Sequence, residues 1–204
     1  ITLTPTGIKP LGLAMALLKP GSRPLGGSRV VPAAFGFFVN GQLESGEAFH
    51  RGVLESVGEI LGEKKLQDFE NGKNFIANAL AINVEQDLFA NLNGEVVYAL
   101  NLPDMKKQLL ETAQLTKLKE WDQFLALGIN DRNMARGVIK SWLESELAIK
   151  QGFLYEIVPA GDDEIFMVRH NDKLFSLGLT QDYFLYSKSA DVLKQAMAAR
   201  KEGT

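Results

Sequence analysis

The clearest alternation of apolar and polar positions lies in residues 152–200. Short runs rich in β-branched and aromatic residues cover 153–159, 164–169, 174–179 and 182–186. The turns between them are too short for anything but hairpins. An amphipathic stretch follows from about Ala190. The pattern predicts an antiparallel β-meander that leads into a helix.

The first forty residues are rich in Gly and Pro and predict strands instead of helices. Residues 1–4 alternate apolar and polar positions, which is typical of a short strand. Residues 11–18 and 34–39 are continuous apolar runs, and each is expected to be a strand buried on both faces, although a short buried helix also fits 11–18. A loop is expected over 20–28, and the Asn40-Gly41 pair is expected to end the later strand.

Helical spacing begins at Gly46, with Ser45 as the expected N-cap and Gly62 as the expected stop. Further apolar stripes predict four more helical regions and a strand. They are a helix over 66–80 interrupted at Asn71-Gly72, a helical turn over 87–92, a strand over 95–100, a helix from Pro103 to about Gly128, and a helix over 133–149.

This order of elements predicts an α+β fold, with a largely antiparallel sheet and helices packed on one face. Residues 1–204 are expected to form a single domain or a fragment of a longer chain, with possible sub-units 1–92 and 93–204. The strand-to-helix segments 96–110 and 183–197 share an Asp and a Lys-Gln pair, so two related strand–helix units are possible. A common preference for Asp near helix N-termini explains the likeness equally well.

Composition and charge are those of an ordinary globular protein. The net charge is −3, and the 22 basic residues are scattered along the chain, which disfavours a nucleic-acid partner. The chain has no cysteine, which excludes disulfides, thiolate metal sites and thiol nucleophiles. No apolar run reaches the roughly 20 residues of a spanning helix. Because the first residue is Ile1, we expect a removed leader or a truncated chain.

Motifs of known catalytic chemistry are absent from the sequence. Gly26-Gly27 lacks the residues that follow in a phosphate-binding loop, and no Gly-x-Ser-x-Gly motif occurs. We therefore expect no catalytic residue, no cofactor and no enzymatic activity.

The two histidines are the natural candidates for metal ligands. Glu47 and His50 are three residues apart, as in a di-iron Glu-x-x-His pair, but no second pair exists, so His50 is expected on the helix surface. His170 precedes the turn Asn171-Asp172, while Asp162, Asp163 and Glu164 lie at the other end of the same predicted hairpin. Together they form a weak candidate cation site, and solvated acidic turns are the commoner explanation.

Aromatic residues provide the remaining candidate sites. Trp121 and Trp142 lie on consecutive predicted helices and are expected either in the core or around an apolar pocket. Tyr155, Tyr183 and Tyr186 in the meander are expected to give the sheet an outer face that contacts a partner.

Residues 81–100 (AINVEQDLFANLNGEVVYAL) resemble a phrase found in a broad family of bacterial exported proteins of unknown function. The strand, Ser and Ala-Asp-Val-Leu helix start within 175–197 resemble the closing phrase of that family. The resemblance covers about residues 80–200. It implies repeated α+β units and a periplasmic or secreted location, and supplies no catalytic residues.

Three functions remain open from the sequence. The first is a non-enzymatic, extracytoplasmic binding or structural module whose partner is a protein or an envelope component. The second is a small-ligand or lipid-binding protein with a cavity between the tryptophan-bearing helices and the sheet. The third is a metal-dependent enzyme that uses carboxylates with His50 or His170.

Overall fold

The computed structural model describes residues 25–33, 35–101 and 122–202. Its strands are β1 (Phe37–Gln42), β2 (Leu92–Leu100), β3 (Gln123–Ile129), β4 (Phe153–Ala160), β5 (Asp163–His170), β6 (Lys173–Leu179) and β7 (Tyr183–Ser187). Its α-helices are α1 (Gly46–Leu61), α2 (Glu63–Leu80), α3 (Arg132–Leu143), α4 (Glu146–Lys150) and α5 (Ala190–Glu202). A 3₁₀ helix (Gly27–Val30) precedes β1, and a π-helix (Val84–Phe89) precedes β2.

All seven strands form one antiparallel sheet in the order β1-β2-β3-β7-β6-β5-β4. The pairing of β3 with β7 joins the first three strands to the meander, with Phe124 opposite Ser187. The α+β class and the antiparallel sheet predicted from the sequence are confirmed. Since β1 pairs with β2 along its length, strands from both proposed sub-units belong to the same sheet.

The predicted meander and its closing helix are also confirmed. Tight turns connect β4 to β5 and β5 to β6. Gly161 and Asn171 have positive φ angles of 71° and 53° in these turns. Glycine adopts this backbone region without steric cost, and asparagine tolerates it better than most residues. The turn chemistry therefore sets the register of the hairpins.

Helices cover both faces of the sheet, so the prediction of helices on one face is wrong. On one face, Val192, Leu193, Ala196 and Met197 of α5 share a buried cluster with Val97, Ile165 and Leu185 of the sheet. On the other face, Ala135, Ile139 and Leu143 of α3 share a second cluster with Phe166, Val168 and Leu177. Neighbouring strand residues such as Ile165 and Phe166 point to opposite faces, and both are fully buried.

The double coverage explains a wrong prediction at residues 122–128. The sequence predicts a helix that ends near Gly128, but the structure places Gln123–Ile129 in strand β3. Phe124 and Ala126 are fully buried within the cluster beneath α5. Leu127 faces the opposite side. A strand covered on both sides is apolar at every position, so its periodicity does not distinguish it from a helix.

The first strand also differs from its prediction. Residues 34–39 were expected to be buried, but Phe37, Phe38 and Val39 are 46%, 46% and 54% exposed. Strand β1 lies at the sheet edge and continues through Asn40-Gly41, which were expected to form a turn. An edge strand has a neighbour on one side only, and the local sequence does not reveal that position.

Some of the predicted helix boundaries are confirmed, and others are wrong. Ser45 caps α1, because its Oγ accepts a hydrogen bond from the Ala48 N–H at 3.0 Å, and Gly62 ends the helix. The predicted interruption at Asn71-Gly72 is wrong, since α2 is continuous there. The predicted helix over 133–149 is instead two helices, and Ser145 caps the second through the Ala148 N–H at 3.1 Å.

The strands expected at residues 1–4 and 11–18 lie outside the described residues, as does most of the helix expected from Pro103. The proposed relation between segments 96–110 and 183–197 stays a prediction for the same reason. No helix in the described ranges combines the length and apolar character needed to cross a bilayer.

Candidate functional site: an apolar cavity

An apolar cavity of about 630 Å³ lies between the sheet and the helices α1, α2 and α3. Of the 22 described residues that line it, only His50, Lys73, Asp87 and Asn91 have polar side chains. The other 18 are apolar residues or glycine. Natural ligand pockets measure roughly 300–1,000 Å³ and have mostly apolar walls with a few polar groups. The cavity therefore has the size and lining of a binding site for a small apolar molecule.

Four strands and helix α3 form the inner walls of the cavity. Leu92 comes from β2, Leu127 from β3, Phe175 and Leu177 from β6, and Phe184 from β7. These side chains share one face because strand residues alternate between faces. Ala135, Val138, Ile139 and Trp142 extend the wall along α3 at spacings of three and four residues. The apolar stripe that the sequence predicts for this helix therefore contributes both to the core and to the wall of the cavity.

Helix α2 and the π-helix form the outer wall. Phe69 and Ile76 of α2 line the cavity and are 39% and 49% exposed, and Leu88 of the π-helix is 38% exposed. No side chain of α2 in the described set is fully buried. Apolar side chains that line a cavity and also reach solvent mark its opening. We therefore place the entrance between α2 and the π-helix.

The π-helix shapes the cavity at this entrance. Asn83 caps it, since its Oδ1 accepts hydrogen bonds from the Glu85 and Gln86 N–H groups, each at 3.1 Å. Its last residue, Phe89, stacks on the ring of His50 with centroids 4.2 Å apart and planes 13° apart. Single π-helical turns occur frequently at functional sites. The sequence predicts a helical turn over residues 87–92, which begins three residues later than the π-helix at Val84–Phe89.

His50 is buried against the cavity, so its predicted place on the helix surface is wrong. Its side chain is 8% exposed, whereas Glu47, one turn earlier, is exposed. His50 Nε2 is buried and has no hydrogen-bond partner among the described residues. Burial, with a smaller contribution from Lys73, lowers the pKa of His50 below its usual 6.5. The imidazole is accordingly neutral at physiological pH.

The only cation among the described lining residues is already paired. Lys73 Nζ lies 2.7 Å from Glu70 Oε2 and 2.8 Å from Glu85 Oε1. These hydrogen bonds raise the pKa of Lys73, and the bond from Lys73 lowers the pKa of Glu85. Lys73 therefore links α2 to the π-helix at the entrance and keeps its charge across the physiological range.

Trp142 lies where both sequence interpretations placed it, since it borders the core and lines the cavity. Its ring packs edge-on against Phe153 at 5.4 Å and lies 6.3 Å from Phe175. Trp121 lies outside the described residues.

The three meander tyrosines do not share an outer face. Tyr183 and Tyr186 are three residues apart on β7, so they point to opposite sides of the sheet. Tyr183 is buried under α5, and its hydroxyl donates to Glu95 Oε2 at 2.8 Å. Tyr155 and Tyr186 pack against the cluster beneath α3, and the Tyr155 hydroxyl donates to Glu144 Oε1 at 2.7 Å. The three tyrosines therefore do not form the shared outer face that the sequence predicts, and a partner contact by any of them stays a prediction.

The weak metal candidates are also separated. Asp162 and Asp163 lie at the start of β5 and His170 at its end, roughly 23 Å away for seven strand residues. Asp163 is 2% exposed and pairs with Arg200 at 3.3 Å, while His170 stacks on Phe153 at 4.1 Å. Within the described ranges, no three His, Asp or Glu side chains are grouped so that they could hold a metal ion.

Comparisons of the chain with protein-family models, with curated proteins and with solved structures found no match. The resemblance of residues 80–200 to exported bacterial proteins stays a prediction.

Proposed function

We propose that this protein binds a small apolar molecule, non-enzymatically, in the cavity between α2, α3 and the sheet. The observation that carries the proposal is a cavity of about 630 Å³ in which 18 of the 22 described lining residues are apolar or glycine. This was the second of the three functions left open by the sequence.

Packing energetics support a ligand in this space. Protein interiors are packed as densely as organic crystals and contain few voids larger than a water molecule. Side chains around an empty apolar space lose dispersion contacts that a ligand restores. A ligand also gains roughly 25 cal/mol for each Å² of apolar surface that it removes from water. An apolar guest is therefore the natural occupant.

Binding without a nucleophilic side chain is supported by the surroundings of His50. A histidine activates a side-chain nucleophile only when the hydroxyl or thiol lies within hydrogen-bond reach. His50 Nε2 has no such partner among the described residues. An extracytoplasmic location remains an expectation from the family resemblance.

Titration with N-phenyl-1-naphthylamine, an uncharged dye that fluoresces in apolar surroundings, tests the proposal. We expect saturable fluorescence at one dye per chain, with displacement by 1-dodecanol. Native mass spectrometry of freshly purified protein should show a retained ligand in part of the sample.

A pair of neighbouring substitutions on α3 localises the binding. Ala135 is buried and lines the cavity, whereas Met134 is 37% exposed and does not line it. We expect Ala135→Phe to lower dye affinity at least tenfold and Met134→Phe to leave it within twofold. Equal dye binding by Ala135→Phe and wild type, with both folded, would contradict the proposed site.

A further inference from the structure

The accessible wall of the cavity is almost entirely apolar, although four of the described lining residues have polar side chains. Lys73 Nζ pairs with Glu70 and Glu85 at 2.7 and 2.8 Å. The Asn91 amide donates to the Asp131 carbonyl at 2.9 Å and accepts from the Asp131 N–H at 2.7 Å. The polar atoms of these two side chains are therefore bonded to other protein groups and do not face the cavity.

The other two polar side chains also give the cavity no accessible polar partner. Asp87 Oδ2 accepts a hydrogen bond from the Asn83 N–H at 2.7 Å. His50 Nε2 is buried with almost no accessible surface, and the imidazole ring stacks on Phe89. A polar group carried into the cavity would lose its hydrogen bonds to water and find no replacement, which is unfavourable.

The lining residues become more exposed from the inner walls of the cavity to its entrance. Ile129, Ile139 and Leu177, on the side of the sheet and α3, are at most 6% exposed. Ile76 of α2 and Leu88 of the π-helix, at the entrance, are 49% and 38% exposed. A molecule in the cavity therefore has one end enclosed by apolar side chains and the other end next to solvent.

We propose that the ligand is an amphiphile held by its hydrocarbon end alone, while its polar head group stays in solvent at the entrance. The inference deepens the proposed function and rests on it. The hydrocarbon end lies against Ile129, Ile139 and Leu177, and the head group lies beyond Ile76 and Leu88. The site therefore selects the hydrocarbon part of the ligand and does not discriminate between head groups. Fatty alcohols, fatty acids and lysophospholipids share this chemistry.

Displacement of N-phenyl-1-naphthylamine from the wild-type protein at pH 7.5 and 150 mM NaCl tests this lack of discrimination. The competitors are 1-dodecanol, dodecanoate and dodecyltrimethylammonium, each below its critical micelle concentration or solubility limit. Because the head group stays in water, all three transfer the same hydrocarbon chain into the cavity. We expect their dissociation constants to agree within fivefold. A larger difference between 1-dodecanol and either ion overturns the inference.

A hydroxyl group at the opposite end of the chain tests the orientation. The compound 1,12-dodecanediol differs from 1-dodecanol only by a second hydroxyl, at the end that enters the cavity. We expect the diol to bind at least tenfold more weakly, because that hydroxyl is buried without a partner. An affinity for the diol within tenfold of that for 1-dodecanol overturns the inference.

A charge placed at the entrance tests the position of the head group. Ile76 lines the cavity, whereas its neighbour Phe75 does not and is 62% exposed. At 20 mM NaCl, we expect Ile76→Lys to raise the affinity for dodecanoate relative to 1-dodecanol about fivefold. Phe75→Lys is the matched control and should leave this ratio within twofold. An unchanged ratio in Ile76→Lys, with dye binding retained, overturns the placement of the head group.

Failure of the two proposals is distinguishable. Absence of dye binding by the wild-type protein would reject the cavity as a binding site. Dye binding combined with a strong head-group preference, or with tight binding of the diol, would reject only the inference about the ligand.

Discussion

Glu95 is a buried carboxylate that connects three distant parts of the chain. Its Oε1 accepts hydrogen bonds from the Gly26 and Gly27 N–H groups at 2.8 and 2.6 Å, and its Oε2 accepts from the Tyr183 hydroxyl at 2.8 Å. Buried polar groups are costly unless their partners are present. These bonds therefore attach the 3₁₀ helix to β2 and β7.

Removing the Tyr183 hydroxyl should destabilise the fold. Burial and Glu95 raise the pKa of Tyr183 well above its usual range, so the hydroxyl stays protonated and donates. We expect Tyr183→Phe to lower the free energy of unfolding by about 1–3 kcal/mol, because a buried carboxylate loses a donor. Urea denaturation measures the change. Tyr98→Phe, at a tyrosine that is 37% exposed, is the control and should cost much less. An equal cost for both variants would contradict this role of Glu95.

His50 should make stability depend on pH in the weakly acidic range. Its folded-state pKa lies below the unfolded value of 6.5, because burial and Lys73 outweigh the attraction of Glu85 and Glu70. The unfolded chain therefore binds the proton more tightly, and the stabilisation present above pH 6.5 is lost as pH falls through the folded-state pKa.

Urea denaturation between pH 7.5 and pH 5.5 checks this expectation. The wild-type free energy of unfolding should fall across this interval, and His50→Gln should show a smaller fall. Carboxylates whose pKa is lowered by ion pairs, such as Glu164 beside Arg136, lose their contribution only below their usual value of 4.5. Identical slopes for wild type and His50→Gln would refute the assignment.

Helix α5 is attached to the sheet by apolar packing and by one buried ion pair. Leu193, Ala196 and Met197 lie in the cluster above Ile165 and Leu185. At its end, Arg200 contacts Asp163 at 3.3 Å and Asp182 at 3.1 Å. The helix therefore joins the start of β5 to the turn before β7.

Removing the charge of Arg200 should destabilise the protein. Asp163 is 2% exposed, so Arg200→Met leaves a buried carboxylate without its cation. Breaking a buried pair costs roughly 3–5 kcal/mol, and we expect the lower end because Arg200 remains 20% exposed. Chemical denaturation measures the loss.

Two further variants test whether the loss in Arg200→Met comes from the unpaired carboxylate of Asp163. Asp163→Asn combined with Arg200→Met should recover part of the stability, since the unpaired charge is removed. Lys194→Met breaks an exposed pair with Asp191 on the same helix and should change stability little. A double variant no more stable than Arg200→Met would contradict the pairing argument.

The sheet separates two differently packed sides of the molecule. Under α5, small and branched side chains such as Ala99, Ala126 and Leu193 are fully buried. On the other side, α3 packs directly on the sheet, but α1, α2 and the π-helix leave the cavity. The side with incomplete packing is where a ligand contributes most to stability.

Ligand binding should raise the melting temperature of the protein. At a free dodecanol concentration 100 times the dissociation constant, binding adds about 2.7 kcal/mol to the free energy of unfolding. For a chain of this size, the expected increase is roughly 5–10 °C. Differential scanning calorimetry measures it. Ala135→Phe should show a much smaller increase, and an equal increase in this variant would place the binding elsewhere.

Local sequence was enough to predict the elements whose structure depends on nearby residues. The meander, its turns at Gly161 and Asn171, and the Ser45 cap follow from local turn and capping chemistry. The α+β class follows from the order of these elements. Because each of these features depends on residues only a few positions apart, the pattern of residues along the chain is sufficient to predict it.

What lies on each face of the sheet, and where space remains, depends on the packing of elements that are distant in the chain. The cavity depends on residues far apart in the chain, such as His50 beside Phe89 and Lys73 beside Glu85. The exposure of β1 and the burial of β3 depend likewise on neighbouring strands. An apolar side chain has the same identity whether it fills a core or borders a cavity, so the difference appears only when distant elements are brought together.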